Sequence, residues 1–273
     1  MMGLLSSRAP EGGERYHLSE TRELIPMPLM YKIRILKNGE AMVPGPLIFN
    51  LSRYNEEVRI ALYFYLIEGN DKTIVVDTGM DDMPSRFGFK TVGPCKNTLP
   101  LLKEAGINPK DVDYLILTHL HGDHCTNIKL FTKAKIVISR REWLHVIAPT
   151  YRELSPDSGP TREAAAYLAG EAWSRLVLVG DEEEVLPGLS LFWTGGHTPG
   201  SQCVSVKTRM GRAIITGDVV DLYENLEKNI PVGIHYNLFE CFDAMKRIRR
   251  EADIVLTMHE PKVLERYPTG VVG

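Results

Sequence analysis

Residues 118–127 read THLHGDHCTN, which places three histidines and an aspartate inside six positions. Groups of this kind are costly to bury without partners and idle if exposed, so the rest of the chain is read for residues that could meet them. The stretch just before, YLILT (114–118), is an apolar run of strand length. Three later runs of the same kind also end in residues that bind metals. LFWTGG (191–196) leads into His197, AIITG (213–217) into Asp218 and IVLTM (254–258) into His259. Strand ends are where α/β folds gather their ligand-binding loops. Convergence of the four would assemble His119, His121, Asp123, His124, His197, Asp218 and His259. Imidazole and carboxylate without thiolate suit zinc, and also iron, cobalt or manganese. In an extended turn His119 and His121 point to one side and can share an ion. Asp123 and His124, where the chain enters a helix, can turn toward a second. A third imidazole completes each set, and one carboxylate can bridge the pair.

The remaining pattern is β-rich first and β/α later. Strands are expected at 31–36, 58–69 and 72–79, the last two joined by a hairpin at Gly69-Asn70-Asp71. A short helix over 98–106 is closed by Gly106. Strands follow at 112–119, 134–140, 189–195, 202–208, 212–218 and 253–259, with helices at 141–147 and 161–175. Leu238, Phe242, Met245 and Ile248 recur at helical spacing and mark an amphipathic helix over 237–251. Residues 1–25 are polar and read as an arm, and 26–273 as one layered domain. His17, His145 and His235 stand alone and read as core histidines. Cys125, next to His124, reads as packing, since adjacent residues rarely reach one ion. Asp77, in VVDTGM (75–80), is either a turn-capping acid or a group orienting a ligand histidine.

A formal net charge of −3 with scattered lysines and arginines excludes the basic surface that nucleic acid requires. The densest basic run, KRIRR (246–250), falls on the solvated face of the last helix. Cys95, Cys125, Cys203 and Cys241 lie far apart without a CxxC pair, which argues against a disulfide framework and for a reducing compartment. No apolar run reaches the ~18–20 residues of a membrane span, and the first residues lack the pattern of a signal peptide. The expectation is a cytoplasmic protein with a small-molecule substrate and no nucleic-acid or membrane partner.

HLHGDH (119–124) resembles the HxHxDH signature of the metallo-β-lactamase superfamily, and GGHTPGSQ (195–202), TGD (216–218) and MHEP (258–261) follow in that family's order. The resemblance runs from about residue 30 to the end. It implies a four-layer αβ/βα sandwich, two mixed β-sheets packed face to face between outer helices. It also implies that His119, His121 and His197 bind one divalent ion, that Asp123, His124 and His259 bind the other, and that Asp218 bridges them. A hydroxide held between two such ions would attack a carbonyl.

Within the superfamily the chain is most similar to the N-acyl-homoserine lactonases. ALYFYLIEGNDKTIVVDTGM (61–80) and YENLE (223–227) carry that likeness, and the 14 residues after His259 match its short tail. The resemblance implies a lactone-opening hydrolase and a homodimer. The other activities of the fold, thioester, ester or β-lactam hydrolysis and mononuclear iron oxygenation, stand as alternatives. One departure concerns the residue three positions after the bridging aspartate, a tyrosine in that family and Asp221 here; Tyr223 is the nearest tyrosine. Asp123, Asp221 and Tyr223 are therefore the candidate catalytic residues. Trp143, Tyr151, Tyr167 and Trp173, with Phe49 and Tyr54, are the candidates for a substrate wall.

Overall fold

The computed structural model describes residues 30–81, 88, 90–148 and 159–273. The expected polar arm at 1–25, His17 and Tyr151 lie outside the described residues.

Two antiparallel strands, β1 (Lys32–Pro44) and β2 (Glu57–Gly69), form the spine of the first sheet. β2 turns into β3 (Lys72–Val76) through Asn70 and Asp71, both left-handed at φ +54° and +53°. That is the two-residue turn whose twist suits a hairpin, and Asn and Asp tolerate the conformation. From β3 the sheet continues in parallel through β5 (Tyr114–Ile116), β6 (Lys135–Ser139) and β7 (Leu176–Val179). The short strands β4 (Lys90–Thr91) and β13 (Val271–Val272) pair with β1. The second sheet runs in the order β12 (Ile254–Leu256), β11 (Gly211–Ile215), β10 (Gln202–Thr208), β9 (Leu189–Trp193) and β8 (Glu182–Leu186). β12 lies parallel to β11 and the rest are antiparallel.

The period-2 alternation of the strands divides the apolar side chains between layers. Along β2, Tyr63, Tyr65 and Ile67 face the second sheet, where they meet Leu191, Val204 and Ile215. Phe64 and Leu66 face the other way, onto Leu102, Trp143 and Leu168 of the covering helices. On the far side of the second sheet, Ala244, Met245 and Ile248 of the helix Leu238–Glu251 cover Phe192, Cys203 and Ile214. Helix, sheet, sheet and helix thus stack in four layers, as the resemblance implies.

Two tyrosines lock the sheets together near one end. The Tyr63 hydroxyl donates to Pro261 O at 3.3 Å, and the Tyr65 hydroxyl donates to Thr257 O. Gln202, opening β10, donates its backbone N–H to Thr118 O at 3.1 Å and its side-chain amide to Leu117 O at 2.8 Å. The segments fixed in this way carry the histidine motif and His259.

Candidate metal centre

Seven side chains meet where the strands end. His119, His121, His197 and Asp218 form one group and Asp123, His124, Asp218 and His259 a second, the ligand atoms of each lying within 4.8 Å of one another. Four of the residues follow β5 in the first sheet, while His197, Asp218 and His259 follow β9, β11 and β12 in the second. Asp218 Oδ2 sits 3.1 Å from His124 Nε2, 3.2 Å from His259 Nε2 and 3.7 Å from both His119 Nε2 and His197 Nε2. One carboxylate oxygen therefore faces imidazoles of both groups. His121 Nδ1 and His197 Nε2 are 2.8 Å apart. Asp123 Oδ2 lies 3.4 Å from His124 Nε2 and 3.5 Å from His259 Nε2.

In four of the five histidines the nitrogen turned outward is anchored. His124 Nδ1 donates to Asp77 Oδ2 at 2.8 Å, His197 Nδ1 to Ile234 O at 2.7 Å, and His259 Nδ1 to Ala61 O at 3.0 Å. His119 Nδ1 lies 3.1 Å from the Thr118 hydroxyl, which donates to Asp77 Oδ2 at 2.8 Å. When such a ring is neutral, the proton held on Nδ1 leaves Nε2 a lone pair pointing inward, which is how supporting groups prepare a metal-binding histidine. Asp77 is fully buried and left-handed at φ +58°. It holds the ring of His124, the contact that the second of its two sequence readings calls for.

Electrostatics separates the two groups. Burial and the neighbouring His124 hold His119 well below the usual imidazole range. Burial and His197 hold His121 down to about 3. At His259 burial opposes the charge, yet the adjacent Asp218 carboxylate outweighs it and pushes the imidazole up to about 10. Burial alone would raise Asp218, but His124 and His259 hold it well below the carboxylate range.

His119 Nε2 and Asp218 Oδ1 are buried without a hydrogen-bond partner. Buried polar atoms of this kind are uncommon in native proteins and call for an explanation. A pair of divalent cations supplies one, and the nitrogen and oxygen donor set fits them.

The loop that presents His197 depends on glycine. Gly195 and Gly196 are left-handed at φ +57° and +78°, and a Cβ on Gly196 would lie 2.8 Å from Cys241 Sγ. Gly200 lies against the helix Arg140–Ile147 so closely that a Cβ would fall 2.0 Å from the Glu142 backbone nitrogen.

The catalytic candidates separate. Asp221 is 6% exposed with Oδ1 unpartnered, and burial, reinforced by Asp218, raises its carboxyl well above the usual range. Tyr223 is not brought to the cluster. Its ring packs in the core between the sheets under the Arg266 guanidinium, 3.6 Å from the ring centre, and its hydroxyl donates to Val255 O at 3.3 Å. Cys125 packs against the first sheet, outside both ligand groups.

The expected substrate wall is largely elsewhere. Trp143, Tyr167 and Phe49 are core residues, and Trp173 and Tyr54 are exposed at 61% and 65%. A cavity of about 310 Å³ opens beside His121 and His197, lined by Thr198, Ile234, Tyr236 and two histidines read from sequence as core, His145 and His235. His145 stands edge-on to Tyr236 with ring centres 5.8 Å apart. Helical spacing and isolation gave no signal that these rings would reach a cavity.

Sequence reasoning also missed Glu142, whose neighbours in RREWLHVI suggest an exposed helical acid. It is fully buried. Its Oε1 accepts from Leu120 N at 3.0 Å, and its Oε2 accepts from Thr198 Oγ1 at 2.7 Å and Gly200 N at 3.2 Å.

Comparison with known proteins agrees with this geometry. An N-acyl homoserine lactonase of Bacillus cereus is 29% identical over 82% of this chain and 88% of its own length. One from Bacillus thuringiensis is 28% identical over 80% of this chain and 81% of its own. A crystal structure of a quorum-quenching N-acyl homoserine lactone lactonase shares the fold with a TM-score of 0.72 at 24% identity, covering 88% of this chain and 96% of that one. A dizinc quorum-quenching lactonase aligns with a TM-score of 0.65 at 17% identity, over 86% and 90%. The family model of the metallo-beta-lactamase superfamily matches residues 62–259. That span opens in β2 and closes on His259, the last of the seven clustered residues, and the chain belongs to the metallo-β-lactamase superfamily.

Proposed function

We propose that the protein is a dinuclear metal hydrolase that opens a lactone ring, with N-acyl-homoserine lactones as its substrate class. The observation that carries this reading is the complete pair of ligand groups sharing Asp218, in a chain whose relatives are N-acyl homoserine lactonases over most of both lengths. Two bound cations, which we take to be zinc, supply a Lewis acid for the carbonyl and a water acidic enough to attack at neutral pH.

The chain's own residues do the rest. Asp218 fixes the spacing of the two groups, and Asp77, Ala61 and Ile234 hold three imidazoles in the tautomer that leaves Nε2 free. Asp123 faces the second group and is the more exposed of the two ligand carboxylates, 19% against 8%, so it can take up a proton from the attacking water. Asp221 holds the place at which the lactonase family has its tyrosine. Its buried, unpartnered oxygen makes it the group to deliver a proton to the departing ring oxygen. The cavity lined by Ile234 and Tyr236 receives the acyl side of the substrate. No helix among the described residues is long and apolar enough to cross a membrane; we place the protein in the cytoplasm on its scattered cysteines.

The test is acid release in weakly buffered indicator solution, from zinc-loaded protein mixed with short- and long-chain N-acyl-homoserine lactones. The control is His121→Ala. Fast, metal-dependent release is the expected result. Release no faster than that control overturns the lactone assignment and directs the assay to thioesters and other esters.

A further inference from the structure

We infer that Glu142 is a positioning residue for one of the two cation sites and not for the other. The inference rests on the two-metal reading above and is independent of the lactone. It starts from where the three hydrogen bonds to this carboxylate go. Oε1 accepts from Leu120 N–H at 3.0 Å, the peptide between His119 and His121. Oε2 accepts from the Thr198 hydroxyl at 2.7 Å, one residue after His197, and from Gly200 N–H at 3.2 Å. One side chain therefore joins the loop after β5 to the loop after β9. Those loops carry His119, His121 and His197, the three imidazoles of the first ligand group.

The two loops belong to different sheets. Gln202 joins them at their base, through Thr118 O and Leu117 O, and Glu142 joins them beside the three histidines themselves. Thr198 is held in turn by Ser201, whose hydroxyl accepts from Thr198 N–H at 3.0 Å. Gly200 packs on the Glu142 backbone with no room for a side chain. Metal ligands need placement to roughly 0.2 Å, so a bracket between the ligand-bearing loops governs affinity directly. The second group is held by other means. His124 leans on Asp77, and His259 on Ala61 through both its ring and its carbonyl, which accepts from Ala61 N–H at 2.9 Å. Glu142 touches none of these.

A carboxylate is required because donors approach both of its oxygens. In Glu142→Gln the amide nitrogen meets an N–H or O–H donor whichever way it is turned, and the bracket opens on one side.

The experiment measures zinc affinity by competition with a chromogenic chelator, in two backgrounds that isolate the sites. Asp123→Ala with His259→Ala leaves the first group; His121→Ala with His197→Ala leaves the second. Glu142→Gln is expected to weaken zinc about tenfold or more in the first background and less than about twofold in the second. Equal weakening in both, or none in the first, overturns the inference, because a merely structural residue would act on both sites alike. Should Glu142→Gln fail to fold, Thr198→Val removes one arm of the bracket and is read by the same two outcomes. If neither parent background binds zinc, the two-metal reading fails, and the inference fails with it.

Discussion

Asp77→Asn tests the support of the second ligand group directly. Asp77 takes Thr118 N–H on Oδ1 at 2.8 Å, and on Oδ2 the Thr118 hydroxyl and His124 Nδ1–H, each at 2.8 Å. Asparagine keeps the shape and tolerates the left-handed backbone, but can keep an acceptor at only one of the two ends. With its oxygen on Thr118 N–H, its amide hydrogens face His124. The imidazole must then surrender the Nδ1 proton and carry one on Nε2, the atom that lies 3.1 Å from Asp218 and must face the cation. Loss of such a supporting acceptor weakens a metal site about 10- to 100-fold, or about 1.4–2.8 kcal/mol. Zinc titration should show this loss where only the second group remains, and a smaller one where only the first remains, since Asp77 reaches His119 only through the Thr118 hydroxyl. Undiminished zinc affinity in the variant's second site would refute the argument that Asp77 sets the tautomer of His124.

The other predictions concern catalysis, packing and metal removal. Asp221→Asn should lower kcat by about 10²–10⁴-fold with zinc content unchanged, as for loss of a general acid, checked by lactone hydrolysis beside elemental analysis. Tyr223→Phe removes the hydroxyl bonded to Val255 O and Arg266, and should leave kcat within about twofold while costing about 1 kcal/mol in a denaturant melt. Gly200→Ala drives a Cβ to 2.0 Å from the Glu142 backbone nitrogen; overpacking of this kind costs about 1–3 kcal/mol, read as a lower Tm of the metal-free protein. Chelation should abolish hydrolysis, and zinc restored at a hundred times its Kd should add about 2.7 kcal/mol to stability per site.

Much of the candidate ligand set is written in the sequence, because strand ends are local signals and imidazole clusters have few other uses. The hairpin at Asn70–Asp71 was legible for the same reason: its left-handed residues are types that tolerate the conformation. β1 was harder. It runs to Pro44 through Asn38–Gly39, a pair that ordinarily marks a turn, because the Asn38 side chain is buried and bonded to Lys96 O at 2.9 Å and a bulge absorbs the irregularity. β8 hid behind Glu182–Glu184, whose acidic side chains are exposed on a sheet edge; charges there discourage pairing with a second chain. The helix expected over 161–175 begins at Gly159 and ends at Ala169. Glu142, His145 and His235 take their surroundings from contacts far along the chain, and no periodicity records these.

The division of ligands between the sheets carries a consequence for how the protein comes apart. Four come from the first sheet and three from the second, and each ligand group draws on both. A bound cation therefore acts as a rivet between the halves of the sandwich. The residues it joins are up to 136 positions apart, from Asp123 to His259, and they meet only where the ends of both sheets come together. Contacts absent from a folding transition state slow unfolding without hastening folding, and contacts that need both sheets in place are expected to be of that kind. Ions held there would thus also lengthen the life of the folded chain, and stripping the metal should shorten it as well as stop the chemistry.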